Sequence, residues 1–197
     1  MTCWAIIPLK ASAGAKSRLA GALDADARER LVRAMAAHVT AAARGAMNID
    51  RLCLVAPGKP DFADDALLVA DPGQGLNPAL IAALAAVTAQ GASRAVIVAA
   101  DLPTLAPRDL ELLAAAPAGE IAIAPDRHGT GTNALSLPLP QAAGFAFAFG
   151  IDSCALHHAE AERLGLAIEV IHSPGLARDI DEPPDLADAA ALLNRQA

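Results

Sequence analysis

A chain of 197 residues, 54% of them hydrophobic, is long enough to bury a sizeable core and suits a single domain over residues 1–197. The formal net charge of −7 argues against long nucleic acids, whose binding depends on neutralising many phosphates with Lys and Arg; a small nucleotide needs only a few cations and a metal. No apolar run reaches membrane-spanning length without a charge or a proline, and nothing ahead of the first strand has the make-up of a signal peptide, so a cytoplasmic protein without a membrane partner is expected.

With 3% aromatic residues, the core must come from Ala, Leu, Val and Ile. Cys3, Cys53 and Cys154 are isolated and lack metal-ligand spacing, and the first two sit in apolar runs where a thiol acts as a small hydrophobe. Trp4 to Leu9 reads as the first strand. A small-residue loop from Lys10 to Arg18 follows, then a helix from about Asp24 to Arg44 with Asp24 as N-cap. Arg51 to Ala56 and Ala66 to Ala70 are the next strands. Asp71 to Asn77 leads into a helix that reaches Gln90 and is closed by Gly91, with Asn77 as N-cap and Pro78 at the first helical position.

Ala95 to Ala100 reads as a buried central strand, followed by a helix from Pro107 to Ala116. Strands are expected over Ile121 to Pro125 and Ala134 to Leu137, a helix over Asp152 to Leu164, a strand over Ala167 to His172 and a last helix from Pro184 to Arg195. This alternation marks an α/β fold with a mostly parallel central sheet and helices on both faces. The run from Pro140 to Phe149 carries Phe145, Phe147 and Phe149 and reads either as core or as a surface for a second copy, which leaves a homodimer open.

In such sheets ligands bind beyond the carboxyl ends of the strands, and candidate residues gather there. Asp101 follows the central strand, and Asp179 and Asp181 lie two apart, so that on an extended chain both carboxylates face one way. Three converging carboxylates suit a hard cation such as Mg²⁺, with phosphate oxygens completing its shell; each of the three would also serve as a cap or turn residue. Lys10, Lys16, Ser17 and Arg18 form a loop able to approach phosphates, although the Walker A spacing is absent. Gly75 permits close backbone approach and Asn77 can bond a base or ribose. Thr132 and the helix entry at Gly150 and Ser153 suit an anionic oxygen, and Arg127 and His128 suit a carboxylate. His157 and His158 are adjacent on a helix and point apart, so they share no metal. No Gly-x-Ser-x-Gly elbow occurs, which disfavours acyl transfer.

Taken in order, Ile6-Ile7-Pro8-Leu9-Lys10, Ala15-Lys16-Ser17-Arg18-Leu19, Gly75-Leu76-Asn77, Ala100-Asp101-Leu102-Pro103, the run Ala124 to Leu135, Phe149-Gly150 with Ser153, and Asp179-Ile180-Asp181 resemble the 2-phospho-L-lactate guanylyltransferase family over nearly the whole chain. Bacterial members of that family include enzymes acting on phosphoenolpyruvate or 3-phospho-D-glycerate. Ala11-Ser12 replaces the Pro-Leu-like pair that many relatives carry after the lysine. The resemblance implies a Rossmann-like nucleotidyltransferase fold. It implies an enzyme that condenses GTP with a phosphorylated three-carbon acid and releases pyrophosphate, in the biosynthesis of coenzyme F-420. It implies metal ligands at Asp101, Asp179 and Asp181, acceptor contacts at Thr132, Gly150 and Ser153, and nucleotide contacts near Lys16 and Arg18. Two alternatives stay open: a nucleotidyltransferase for another acceptor, such as molybdopterin or a sugar phosphate, and a non-catalytic GTP-binding module.

Overall fold

The computed structural model describes residues 2–9, 16–71 and 73–193. Seven strands, β1 (Cys3–Pro8), β2 (Arg51–Ala56), β3 (Leu67–Ala70), β4 (Arg94–Val98), β5 (Ile121–Pro125), β6 (Thr132–Pro138) and β7 (Ile168–Val170), form one sheet in the order β3-β2-β1-β4-β6-β5-β7. The helices are α1 (Ala25–Gly45), α2 (Leu76–Ala89), α3 (Pro107–Ala114), α4 (Ser153–Leu164), α5 (Pro174–Ala177) and α6 (Ala190–Leu193), with tight 3-10 turns at Ser17–Gly21 and Pro183–Ala187. Every strand pairing is parallel except those of β6, which runs antiparallel to both β4 and β5. Reversal of this one strand puts its first residues, Thr132 and Asn133, at the same sheet edge as the carboxyl ends of β4 and β5.

Strand alternation builds two layers from the same residues. Cys3, Ala5 and Ile7 of β1 pack with Val39 and Ala43 of α1 and with Leu110 and Leu113 of α3. Trp4 and Ile6 face the other way, toward Leu80, Leu84 and Val87 of α2 and Ala161 of α4. Both faces are covered, which is why β1 and β4 read as continuous apolar runs. Burial pushes the Cys3 and Cys53 thiols up to about 12, so both stay protonated and act as packing groups.

A third, smaller cluster lies beyond the sheet edge. Leu19, Leu31, Met35, Ile180, Ala189 and Leu192 pack together there. It ties the turn after the first loop, the start of α1 and the acidic segment into one unit.

Several expected elements differ. Asp24 caps α1, accepting the Ala27 amide at 2.7 Å, but α2 begins at Leu76 with Gly75 as its cap, so Asn77 is a helical residue and not the cap. Gly75 has φ 99°, which a side chain would resist. Asp152 precedes α4 with φ 55°, and its side chain makes no capping bond, while its carbonyl accepts the Leu156 amide at 3.1 Å. The expected last helix is divided into the turn at Pro183–Ala187, with its prolines at the first positions where no intrahelical donor is needed, and the short α6, whose Leu192 is seated against Leu31 and Met35 of α1; residues 194–197 lie outside those described. Phe145 and Phe147 are buried within the chain beside α4, and Phe149 packs partly buried against the same cluster, so these rings belong to the core.

Candidate active site

The functional edge is assembled by loops that lie far apart along the chain. Asp101 stands three residues beyond β4, and its carbonyl accepts the Ile180 amide at 3.3 Å. Ile180 is fully buried in the third cluster, so the residues on either side of it are turned outward together. Asp101, Asp179 and Asp181 each offer a carboxylate oxygen, and the three oxygens lie within 4.8 Å of one another. All three side chains keep partial contact with solvent. An all-oxygen set of this size suits a hard cation.

Lys16 closes the group from the other side. Its Nζ donates to Asp101 Oδ2 at 2.5 Å and to Asp181 Oδ1 at 3.0 Å. The residue adopts a left-handed backbone with φ 55°, unusual for a lysine, and so turns its side chain into the cluster. Burial opposes its charge, but the pull of Asp101 and then Asp181 outweighs this and holds the ammonium above the ordinary lysine range. Asp179 shows the reverse effect: burial, then the negative charges of Asp101 and Asp181, push its carboxyl up. Arg18 Nη1 reaches Asp181 Oδ2 at 3.7 Å from an exposed position. Ser17 opens the 3-10 turn in the same segment, whereas Lys10 lies outside the described residues.

Asp185, passed over in the sequence, holds the acidic segment in place together with Arg127. Asp185 Oδ2 accepts the amides of Asp181 at 2.9 Å and Glu182 at 2.8 Å, and Oδ1 pairs with Arg127 at 2.8 Å. Burial opposes the Asp185 charge, but those two amides together with Arg127 outweigh it and keep the carboxyl low. Arg127 also reaches the Asp179 carbonyl at 3.4 Å. It is thus engaged by the main chain of the acidic segment and by Asp185. Asn133 Nδ2 donates to the Leu176 carbonyl at 2.9 Å and lies 3.5 Å from Asp179 Oδ1. The only sequence signal for Asp185 was its place three residues after Glu182 in a proline-containing turn entry.

On the far side of the edge, Thr132 is buried and its Oγ1 lies 3.0 Å from His157 Nδ1. Gly150 has φ 138°, a conformation reserved for glycine, and its carbonyl accepts the Ser153 amide at 3.3 Å. The Cys154 amide is bonded to the Thr130 carbonyl at 3.0 Å. The Ser153 and Cys154 amides are therefore already used, and what Ser153 retains for a ligand is its hydroxyl. Asn77 binds the main chain of Phe149 twice, Oδ1 accepting its amide at 2.9 Å and Nδ2 donating to its carbonyl at 3.3 Å.

A separate cavity of about 560 Å³ opens at the opposite edge of the sheet, lined by Trp4, Asp50, Arg51 and Asp65 among others. Its acids are committed, Asp50 to the Cys3 amide at 2.8 Å and Asp65 to Arg44 at 2.6 Å. Among the described residues, the one group of acidic or metal-binding side chains able to share a cation is Asp101, Asp179 and Asp181. No helix among them is long and apolar enough to cross a membrane.

Comparison with known proteins agrees with this architecture. Phosphoenolpyruvate guanylyltransferase of Conexibacter woesei is 40% identical over 194 residues, spanning 94% of this chain and 86% of its own length. The protein of that name from Sphaerobacter thermophilus is 39% identical over 196 residues, spanning 96% of this chain and 93% of its own. A solved nucleotidyl transferase from Methanothermobacter shares the fold with a TM-score of 0.67 at 15% identity, covering 100% of this chain and 99% of its own. The 4-diphosphocytidyl-2C-methyl-D-erythritol synthase of Anaerococcus prevotii does so with a TM-score of 0.63 at 13% identity, covering 98% and 96%. The family described as guanylyl transferase CofC like matches residues 3–192, and the chain belongs to it.

Proposed function

We propose that the protein is a single nucleotidyltransferase domain, cytoplasmic like its reactants, that transfers the guanylyl group of GTP to the phosphate of a three-carbon phospho-acid and releases pyrophosphate, a step toward coenzyme F-420. Phosphoenolpyruvate is the first candidate acceptor, because relatives at about 40% identity carry that activity in their names. The observation that carries the proposal is the meeting of Lys16 and Arg18 with Asp101, Asp179 and Asp181 at the carboxyl edge of the sheet.

In the proposed reaction an ionised oxygen of the acceptor phosphate attacks the α-phosphorus of GTP in line, the new P–O bond forms, and the bond to pyrophosphate breaks. No general base is required, since the attacking oxygen already lacks its proton. Both reactants are anions, so positioning and charge compensation carry the rate. Asp101, Asp179 and Asp181 would hold Mg²⁺, which when bound offsets the charge of the phosphate oxygens. Lys16 and Arg18, with Lys10 and Ser17 in the same loop, would face the triphosphate and stabilise the departing pyrophosphate. Gly75 would line the nucleotide side, and Asn77 would act there by fixing Phe149. Thr132, Gly150 and Ser153 would receive the acceptor.

Purified protein is given GTP, ATP or CTP with phosphoenolpyruvate, 2-phospho-L-lactate, 3-phospho-D-glycerate or a sugar phosphate, with and without Mg²⁺, and pyrophosphate is measured. Pyrophosphate only with GTP, a three-carbon phospho-acid and Mg²⁺ is expected, and Asp101→Asn should lower it at least about 100-fold with the fold retained. GTP bound without turnover in any combination would leave a non-catalytic module, and turnover only with a sugar phosphate would assign another acceptor.

A further inference from the structure

The aromatic run before α4 is fastened at three main-chain amides. Glu160 Oε1 accepts the Ala146 amide at 2.7 Å, His157 Nε2 accepts the Ala148 amide at 3.0 Å, and Asn77 Oδ1 accepts the Phe149 amide at 2.9 Å. His157 is buried, with its ring between Phe145 at 5.6 Å and Phe149 at 4.8 Å. An amide N–H can only donate, so the Ala148 bond claims the lone pair of Nε2. Burial lowers the His157 pKa to about 4, and at neutral pH the ring is uncharged. Its single proton must then sit on Nδ1, 3.0 Å from Thr132 Oγ1.

This tautomer decides what Thr132 can offer. A threonine hydroxyl has one proton and two lone pairs. With Nδ1–H donating to it, Oγ1 spends a lone pair on the histidine and keeps its own proton for another acceptor. The opposite tautomer would draw the hydroxyl proton inward and present lone pairs to an incoming anion, which repels. We propose that His157 is a positioning residue for the acceptor substrate: by accepting from Ala148 and donating to Thr132, it aims the Thr132 hydroxyl proton at an anionic oxygen and seats Phe149 and Gly150 beside it. The inference rests on the reading that Thr132 and Gly150 face the acceptor, and it adds a residue that touches no substrate.

Two substitutions separate the ring's two bonds. Glutamine at 157 places an amide oxygen near the Nε2 position and keeps the Ala148 bond but loses the donor to Thr132. Asparagine places an amide N–H near the Nδ1 position and keeps that donor. In His157→Gln the KM for phosphoenolpyruvate should rise about 10-fold or more while the KM for GTP holds, and His157→Asn should restore most of the loss. Equal KM values for phosphoenolpyruvate in the two variants, or equal rises for both substrates, would overturn the proposal. Thr132→Val is measured beside them. If it leaves the KM for phosphoenolpyruvate unchanged, the assignment of Thr132 to the acceptor falls, and the proposal with it. If it raises that KM and His157→Gln does not, only the role of His157 falls. Nitrogen-15 NMR of the histidine-labelled wild-type protein, with His157 assigned by its loss in the Asn variant, should show the Nδ1–H tautomer; the Nε2–H tautomer would also overturn the proposal.

Discussion

Lys16 is held between two roles that one ammonium can fill. Bonded to Asp101 and Asp181, it compensates a carboxylate group that would otherwise repel itself; the same charge is placed to meet a phosphate chain. Lys16→Met should therefore lower the rate of pyrophosphate formation by about 100-fold, with an unchanged circular dichroism spectrum. His157 makes a prediction about pH. The unfolded ring takes up its proton near 6.5, whereas the folded one resists until about 4. Between these values the unfolded state binds more protons, so its contribution to stability is whole above pH 6.5 and is lost as the pH falls toward 4. The full effect is about 3 kcal/mol. Urea unfolding from pH 7 to pH 5 should show the decline in the wild type and a flatter profile in His157→Asn. The acidic trio was legible because Asp101 follows the apolar run of β4, and Asp179 and Asp181 lie two residues apart about the apolar Ile180. His157 was not, since its partners Ala148 and Thr132 lie 9 and 25 residues away and become neighbours only when the loop folds over α4.

The segment from Arg178 to Asp188 shows how a short stretch is given a shape that its own propensities do not specify. Arg127 arrives from the turn after β5 and Asp185 from the turn at Pro183–Ala187, and between them they grip the main chain of Asp179, Asp181 and Glu182. Asp185→Ala leaves two amides without their acceptor and should weaken Mn²⁺ binding, followed by electron paramagnetic resonance, about 10-fold. Arg127→Ala should do less, and the double variant should show a coupling of about 1–2 kcal/mol in unfolding free energy. Periodicity placed α1, β2 and β5 to within a residue or two, because each is long or strongly patterned. It failed at the carboxyl end, where an apolar period persists but packing of Leu192 against α1 divides the stretch into a turn and a short helix. At α2, the positive φ of Gly75 lets the helix begin early and frees Asn77 to hold Phe149.

Across the molecule, the order β3-β2-β1-β4-β6-β5-β7 brings the loop before α1, the turn after β4 and the acidic segment to one edge, although they lie far apart along the chain. The small apolar cluster around Ile180 is the joint, since it packs Leu19 behind Lys16 and turns Asp179 and Asp181 outward. Ile180→Ala should cost about 2–5 kcal/mol in urea unfolding and also lower turnover, whereas a cavity of similar size made at Leu84 of α2, in the core on the other face of the sheet, should leave turnover unchanged. Local chemistry written in the residue order was enough to determine the class of fold, the strands with their buried faces, and three acids suited to a hard cation. What surrounds those acids was decided only in three dimensions: the Lys16 counter-charge, the Asp185 and Arg127 grip, the antiparallel course of β6 and the orientation of the Thr132 hydroxyl. Propensity and periodicity act over a few residues, whereas a hydrogen bond or an ion pair requires only nearness in space, which is set by how the whole sheet closes on its helices.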